Sequence, residues 1–182
     1  MMKDICVFFG TGYEEIEALT VVDILRRAGI PTKMVSITGE DMVTGSHNIS
    51  VKMDAKFEEI DFEQVEMIVL PGGMPGTKNL EAHEGLMAKL DEFYAAGKPV
   101  SAICAAPSIF GHRDMLQGKK ACCYPSFEED LKGAEVVFDS CVVTDNVTTA
   151  RGMGAAIDFA LAILARYQGK EAAKEMADKI IY

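Results

Sequence analysis

The sequence lacks several features that define specialised classes of protein. It contains no tryptophan, no CxxC or CxxH spacing, and no run of about 18 apolar residues, the length that a membrane-spanning helix needs. The apolar stretch near its start covers only residues 5–9, which is too short for the core of a signal peptide. Its five cysteines are an odd number without metal-ligand spacing. We therefore expect a reduced, cytoplasmic protein without a disulfide framework, a structural zinc site or a membrane partner.

Positive charge is also scarce. The 182 residues include 18 lysines and arginines against 28 aspartates and glutamates, which gives a formal net charge of -10. This negative charge repels phosphate groups, so we expect no nucleic acid partner. Hydrophobic residues make up 49% of the chain, which is enough to build the core of a single domain over residues 1–182.

Strands and helices are predicted to alternate along the chain. Strands are predicted at residues 5–9, 31–37, 67–70 and 100–103, and the continuous apolar run at 5–9 is typical of a strand buried on both faces. Helical periodicity is found at residues 14–28, 79–96 and 154–167, and again after Gly169. A small hairpin is predicted at residues 41–53, and β-like segments lie at 120–123, 135–138 and 141–144, with a turn at Asp139-Ser140 between the last two. This alternation predicts an α/β fold, a three-layer sandwich around a mainly parallel sheet.

Three segments that follow strands are candidates for a binding site, because ligands bind beyond the carboxyl ends of the strands in such a sheet. They are residues 10–12, 71–73 and 104–107, which the fold would bring to one edge. The first begins like a dinucleotide-binding loop. However, Glu15 occupies the position of the third glycine, where a carboxylate would repel a pyrophosphate group. We therefore expect no nucleotide cofactor.

Cys104 is the strongest candidate for a nucleophile. It lies between the strand at 100–103 and a segment of small residues that can begin a helix, an arrangement that projects a side chain at the sheet edge. The N-terminus of that helix favours the thiolate, which is the reactive form of cysteine. The alternative is a small buried hydrophobic residue, and the pattern alone leaves both interpretations open.

Glu17 is the second candidate. Glu17 lies one turn before the core-facing stripe of the first helix, where an apolar residue would be expected. The stripe consists of Thr20, Val21, Ile24 and Ala28. Burial would raise the pKa of the Glu17 carboxyl group, which could then donate a hydrogen bond or a proton near neutral pH. The alternative is an ionised carboxylate that the N-terminus of the helix stabilises.

Two pairs of neighbouring residues carry weaker signals. Gly72 and Gly73 follow a buried strand, where their backbone N–H groups could form an oxyanion hole or only a tight turn. Cys122 and Cys123 could supply a resolving thiol to the nucleophile or pack within a strand.

The three histidines, His47, His83 and His112, have no metal-ligand spacing with one another or with a cysteine. We therefore expect no metal site. His112 follows the candidate nucleophile on a predicted helix, and it could approach the site or lie at the surface.

Five segments of the chain resemble the ThiJ/PfpI superfamily in order and spacing. The likeness is to the branch of the parkinsonism-associated protein deglycase and its bacterial relatives. The resemblance implies a single class I glutamine amidotransferase-like domain with a flavodoxin-like fold. The segments are Gly12-Tyr13-Glu14-Glu15-Ile16-Glu17, Arg26-Arg27-Ala28-Gly29, Leu70-Pro71-Gly72-Gly73, Ala102-Ile103-Cys104-Ala105-Ala106-Pro107 and Arg151-Gly152-Met153-Gly154.

The resemblance also implies roles for individual residues. Cys104 corresponds to the reactive cysteine, held in a strained backbone conformation, and Glu17 to a protonated glutamate that hydrogen-bonds its sulfur or sulfinate. Gly73 and Ala105 correspond to positions whose backbone N–H groups form an oxyanion pocket. Family members commonly form homodimers through the first helix, and the interface would include Ile16, Asp23 and Arg27.

Two positions depart from patterns within the superfamily. Some members have a histidine beside the pocket, immediately before a proline, where this chain has Tyr124, and tyrosine is a poor base at neutral pH. The protease-like branch has a histidine directly after the cysteine, where this chain has Ala105, so we expect no peptidase activity. Whether Tyr124 or His112 replaces the missing histidine is open, and both are candidate pocket residues together with Gly72.

The resemblance implies two alternative functions. The first is a cysteine enzyme without a cofactor that acts on methylglyoxal, glyoxal or early glycation adducts of proteins, with Cys104 as nucleophile and Glu17 moving the proton. The second is an oxidative-stress sensor or chaperone-like protein in which Cys104 is oxidised to the sulfinate without turnover.

Overall fold

The computed structural model describes residues 3–182 and has a seven-stranded sheet at its centre. In chain order the strands are β1 (Asp4–Phe9), β2 (Thr32–Ser36), β3 (Met42–Thr44), β4 (Ser50–Lys52), β5 (Ala55–Lys56), β6 (Val65–Leu70), β7 (Val100–Ile103), β8 (Lys120–Ala121), β9 (Glu135–Val136), β10 (Cys141–Thr144) and β11 (Val147–Ala150). The order in the sheet is β10-β11-β7-β6-β1-β2-β5, and neighbouring strands are parallel except for the β10–β11 hairpin. The β3–β4 hairpin, which was predicted, and the β8–β9 pair form two small separate sheets.

Helices cover both faces of the sheet. They are α1 (Glu15–Arg27), α2 (Gly76–Ala82), α3 (Glu84–Ala95), α4 (Pro107–His112) and α5 (Ala156–Lys179). Ile5, Val7 and Phe9 of β1 belong to the core that α1 and α5 cover, whereas Cys6 and Phe8 belong to the core under α2, α3 and α4. Burial on both faces explains the continuous apolar sequence of β1. The mainly parallel sheet with helices on both faces confirms the flavodoxin-like α/β sandwich. No helix within residues 3–182 is long and apolar enough to cross a membrane.

The helix predicted at residues 79–96 is instead two helices. α2 ends at Ala82 and α3 begins at Glu84, because His83 between them has an extended backbone with φ -82° and ψ 95°. The Nδ1 atom of His83 accepts a 3.0 Å hydrogen bond from the N–H group of Leu86, which caps the start of α3. The periodicity did not reveal the break because histidine is not among the usual capping residues.

The last third of the chain differs most from the prediction. The strand at 141–144 is present as β10, but it turns at Asp145 and Asn146 into β11, which the sequence analysis did not identify. β8 and β9 have only two residues each and are shorter than the predicted segments. β11 was missed because two of its four residues, Thr148 and Thr149, are polar although the whole strand is buried between β7 and β10.

The order of the strands places the candidate site at one edge of the sheet. β1, β6 and β7 are neighbours, and their carboxyl ends lead into residues 10–12, residues 71–73 and Cys104. α1 begins after the first of these segments and brings Glu17 to the same edge. The meeting of the three strand ends, predicted from the sequence, is confirmed.

Candidate active site

Cys104 lies in a sharp turn between β7 and α4. Its φ angle is 67°, in the left-handed region that non-glycine residues rarely adopt. Two hydrogen bonds hold this conformation: the N–H of Cys104 donates to the carbonyl of Ala150 (2.9 Å), and the N–H of Tyr124 donates to the carbonyl of Cys104 (2.8 Å). The strained backbone implied by the resemblance is therefore present, and it aims the side chain into a pocket.

Glu17 lies in the first turn of α1 and is almost completely buried. Its side chain hydrogen-bonds Cys104, and its Oε2 atom accepts a 3.0 Å hydrogen bond from the backbone N–H of Gly72. Burial raises the pKa of the Glu17 carboxyl group to about 7, although the bonds to Cys104 and Gly72 act in the opposite direction. The predicted rise in pKa is confirmed, and Glu17 can exchange a proton near neutral pH.

The thiol of Cys104 does not behave as the helix N-terminus suggested. Burial, followed by the charge of Glu17, raises the pKa of Cys104 to about 12, while hydrogen bonds from the N–H groups of Gly73 and Ala105 oppose the rise. The predicted preference for the thiolate is therefore wrong. α4 has only six residues, and desolvation of the sulfur outweighs its effect. Cys104 and Glu17 each influence the pKa of the other.

Gly72 and Gly73 are required because the backbone passes very close to the site. A Cβ atom on Gly72 would lie 2.5 Å from the Cβ of Cys104 and 2.6 Å from Oε2 of Glu17. Gly73 has a φ of +88°, and a Cβ there would lie 2.4 Å from the backbone nitrogen of Glu14. These two glycines therefore form a close contact with the site as well as a turn.

Replacing Gly72 with alanine should push Cys104 and Glu17 apart and destabilise the fold. We expect Gly72→Ala to lower the free energy of unfolding by about 1–3 kcal/mol, because an added methyl group has no space in a packed site. Gly154→Ala is the matched control, since nothing lies within 4 Å of its added Cβ. Chemical denaturation measures both variants, and equal stabilities would contradict the close packing at Gly72.

The pocket around Cys104, here called the cysteine pocket, has a volume of about 340 Å³. Its lining includes the predicted residues Glu17, Gly73, Cys104, Ala105 and Tyr124. The sequence analysis missed the other lining residues, which are Glu14, Met74, Phe127 and Met153. Their best signal was proximity in sequence, because each lies within three residues of a residue or motif that had been identified.

The comparisons with known proteins agree with this fold. Residues 3–166 match the model of the DJ-1/PfpI family. The chain belongs to the DJ-1/PfpI family. The resemblance found in the sequence is therefore confirmed at the level of the family.

Relatives within the DJ-1/PfpI family differ in length. Protein dj-1beta of Drosophila melanogaster is 32% identical over 183 residues, which cover 100% of this chain and 98% of that protein. Protein DJ-1 homolog B of Arabidopsis thaliana is 32% identical over 181 residues, and the match covers 98% of this chain but only 41% of that protein. The solved structure titled "Toxoplasma gondii DJ-1, oxidized" has a TM-score of 0.94 at 32% identity, and covers 99% of this chain and 98% of that one.

His112 does not line the cysteine pocket of this family member, so its candidate role there is wrong. Its Nδ1 lies 2.6 Å from Oε1 of Glu81, and its Nε2 lies 3.3 Å from Oδ1 of Asp130. The physical reason is that α4 begins after Cys104 and carries His112, its last residue, away from the sulfur.

The vicinal cysteines are both buried, and Cys122 is held within the fold. The N–H of Cys122 donates a 3.0 Å hydrogen bond to Oγ1 of Thr149, and its Sγ lies 3.4 Å from the Thr149 carbonyl oxygen. These contacts favour packing over a resolving thiol. Neither Cys122 nor Cys123 lines the cysteine pocket.

A cluster of Glu14, Glu15 and His47 lies beside the site, with ligand atoms within 4.8 Å of one another. Spacing could not reveal it, because the β3–β4 hairpin brings His47 to the start of α1. Glu15 accepts hydrogen bonds from the backbone N–H of His47 (2.7 Å) and from Oγ of Ser46 (3.2 Å), and its Oε2 lies 3.0 Å from His47 Nδ1. Carboxylates and an imidazole are donors that a divalent cation can use, but these hydrogen bonds account for the cluster without an ion.

A larger groove of about 720 Å³ runs along α1 and is separate from Cys104. It includes the predicted interface residues Ile16, Asp23 and Arg27, of which Ile16 is 49% exposed. Asp23 and Arg27 form an ion pair of 2.6 Å one helical turn apart. The smaller cysteine pocket is the candidate active site, because the groove contains no nucleophile.

Proposed function

We propose that the protein is a cysteine enzyme that converts reactive dicarbonyls, such as methylglyoxal and glyoxal, into hydroxy acids. The observation that carries this proposal is the contact between the buried Glu17 carboxyl group and the Cys104 thiol at the base of an open pocket. A nucleophile in hydrogen-bond contact with a base is the arrangement that covalent catalysis requires.

The first step is attack of Cys104 Sγ on the aldehyde carbon. The Glu17 carboxylate accepts the thiol proton as the S–C bond forms, so the buried thiol never has to ionise alone. The aldehyde oxygen becomes negatively charged, and the backbone N–H groups of Gly73 and Ala105 are the donors available to stabilise it. Glu17 then gives this proton to the negatively charged oxygen, so the product of this step is a hemithioacetal on Cys104 and Glu17 is again a carboxylate.

The second step moves a proton from the former aldehyde carbon to the neighbouring carbonyl carbon. Glu17 removes the first proton and returns one through an enediol, which oxidises one carbon and reduces the other and leaves a thioester on Cys104. Water then cleaves the thioester, releases the hydroxy acid and restores the thiol. In total, the dicarbonyl takes up one water molecule to become lactate or glycolate. The proposal includes no cofactor or metal.

Tyr124 occupies the mouth of the cysteine pocket in place of the histidine that some family members carry. It is half exposed, and its phenol can donate a hydrogen bond to the second carbonyl oxygen of the substrate. A glycation adduct on a protein amine or thiol would enter by the same open mouth, so early glycation adducts are proposed as a second class of substrate.

We propose the cytoplasm as the place of action.

The direct test is to incubate the purified protein with methylglyoxal or glyoxal, without glutathione, and to quantify lactate or glycolate. We expect many product molecules per protein molecule. Product at the uncatalysed level with both substrates would overturn the enzyme proposal.

A second candidate function is the sensing of peroxide by oxidation of Cys104 to the sulfinate, with a stress-response or chaperone-like role. Cys104 is partly exposed, and Glu17 could hydrogen-bond a sulfinate oxygen. The similar Toxoplasma gondii structure is of an oxidized DJ-1, which supports oxidation as a candidate chemistry here. Intact mass after mild peroxide should increase by about 32 Da, from two oxygen atoms on Cys104 alone. If another cysteine is oxidised before Cys104, the sensing function is contradicted.

We also propose a homodimer that pairs two copies of α1. The groove along α1 exposes Ile16 and Ile49, and a second copy of the same helix would bury both. Sedimentation equilibrium should give twice the 19.8 kDa mass of the chain. A monomer at micromolar concentration would contradict this interface.

A further inference from the structure

A second pocket adjoins the cysteine pocket. Tyr124 and Met153 line both, and beyond them the cleft widens to a volume of about 460 Å³. Gly152 lies close to residues of the cysteine pocket. A Cβ atom on Gly152 would lie 3.2 Å from the Tyr124 ring and 3.9 Å from Oε1 of Glu17. We call this second space the distal pocket, and its defining residues are Tyr124, Phe138, Arg151, Gly152 and Met153.

Three large apolar side chains of the distal pocket are exposed. Phe138 is 67% exposed, Met153 is 51% exposed and Tyr124 is 50% exposed. Large apolar side chains grouped at the edge of an active site commonly bind part of a ligand, because covering them removes apolar surface from water. The aromatic ring of Phe138 offers a flat face on which another ring can stack.

Arg151 gives the distal pocket a positively charged side chain. Its guanidinium carbon lies 5.5 Å from the centroid of the Phe138 ring, and its backbone N–H donates to the carbonyl of Ser140. None of the ion pairs within residues 3–182 includes Arg151. A guanidinium group near a ring and outside any of these ion pairs suits a carboxylate.

We propose that the distal pocket is a substrate subsite for dicarbonyls that carry an aromatic ring with a carboxylate substituent. The ring would pack against Phe138, and the carboxylate would bind Arg151. This inference rests on the proposed function, because it supplies a specificity determinant for the same reaction.

The reaction expected for such a substrate is the one proposed above. An aryl glyoxal takes up one water molecule, its aldehyde carbon becomes a carboxyl group, and its ketone carbon becomes a carbinol. Initial rates should be compared for 4-carboxyphenylglyoxal and phenylglyoxal, which differ only in the distal carboxylate. We expect wild type to favour the carboxylate substrate about 5- to 20-fold in kcat/KM.

The variants separate the two contacts. Arg151→Gln should reduce the preference for the carboxylate substrate to about one. Phe138→Leu should lower kcat/KM for both aryl substrates and keep their ratio. Lys170→Gln is the matched control, because it removes an equal charge from an exposed position away from the cleft, and its ratio should equal that of wild type. No preference in wild type, or the full preference in Arg151→Gln, would overturn the subsite.

A binding measurement keeps this inference separate from the proposed function. In Cys104→Ser, which lacks the nucleophile, calorimetry can compare 4-carboxymandelate with mandelate. Tighter binding of 4-carboxymandelate that is lost with the additional Arg151→Gln change would support the subsite even if no dicarbonyl is turned over. Equal binding of the two acids would overturn it even if methylglyoxal is converted to lactate.

Discussion

Cys104→Ser should reduce the production of lactate from methylglyoxal to the uncatalysed level, a loss of at least about 10³-fold. The hydroxyl group is a weaker nucleophile than the thiol, and a carboxylate whose pKa is about 7 is too weak a base to activate it. The strained turn and its two backbone hydrogen bonds do not depend on sulfur, so the fold should be retained.

The control for this experiment is Cys141→Ser, which changes a partly buried cysteine outside the cysteine pocket. We expect its lactate production to stay within about twofold of wild type. Production of lactate at the wild-type rate by Cys104→Ser would show that Cys104 is not the nucleophile.

Glu17→Gln should lower kcat for methylglyoxal by about 10²- to 10⁴-fold, which is the usual contribution of a positioned acid–base group. The amide oxygen of glutamine can still accept the hydrogen bond from Gly72, but the side chain can neither accept nor return a proton. Glu171→Gln, at an exposed position on α5, is the matched control and should not change kcat. Activity within threefold of wild type would show that another group moves the proton.

The same variant should be more stable than wild type in alkaline solution. The pKa of Glu17 is higher in the folded state than in the unfolded chain, so below its ordinary value both states are protonated and the carboxyl group has no effect. As the pH rises towards 7, the unfolded chain ionises first and the wild type loses stability, by up to about 3 kcal/mol. We therefore expect the advantage of Glu17→Gln to be absent near pH 4 and largest near pH 8, a result that also excludes misfolding as the cause of lost activity.

The main features of the site were predictable because local patterns and tertiary structure agree there. The apolar runs placed β1, β6 and β7, and their shared edge followed from the rules of parallel sheets. Glu17 was visible because it interrupts an apolar helical stripe, and Cys104 because it follows a strand directly. The family resemblance then favoured a functional role for Glu17 and Cys104 over a purely structural one.

The features that were missed depend on contacts between distant segments. The pKa of Cys104 follows from burial by several elements, which no local pattern records. His47 reaches Glu15 only through the β3–β4 hairpin, and the polar strand β11 is buried only because β7 and β10 flank it. His112 was misplaced because the length of α4 decides where that side chain points.

The pH dependence of kcat/KM for methylglyoxal tests the central claim most directly, which is that Glu17 accepts the proton of Cys104. In wild type, kcat/KM should rise with pH and level off above an inflection near 7, because Glu17 must be ionised to act as the base. The residual activity of Glu17→Gln should show no inflection there. A wild-type profile that is flat through pH 7, or an inflection that persists in Glu17→Gln, would contradict the account.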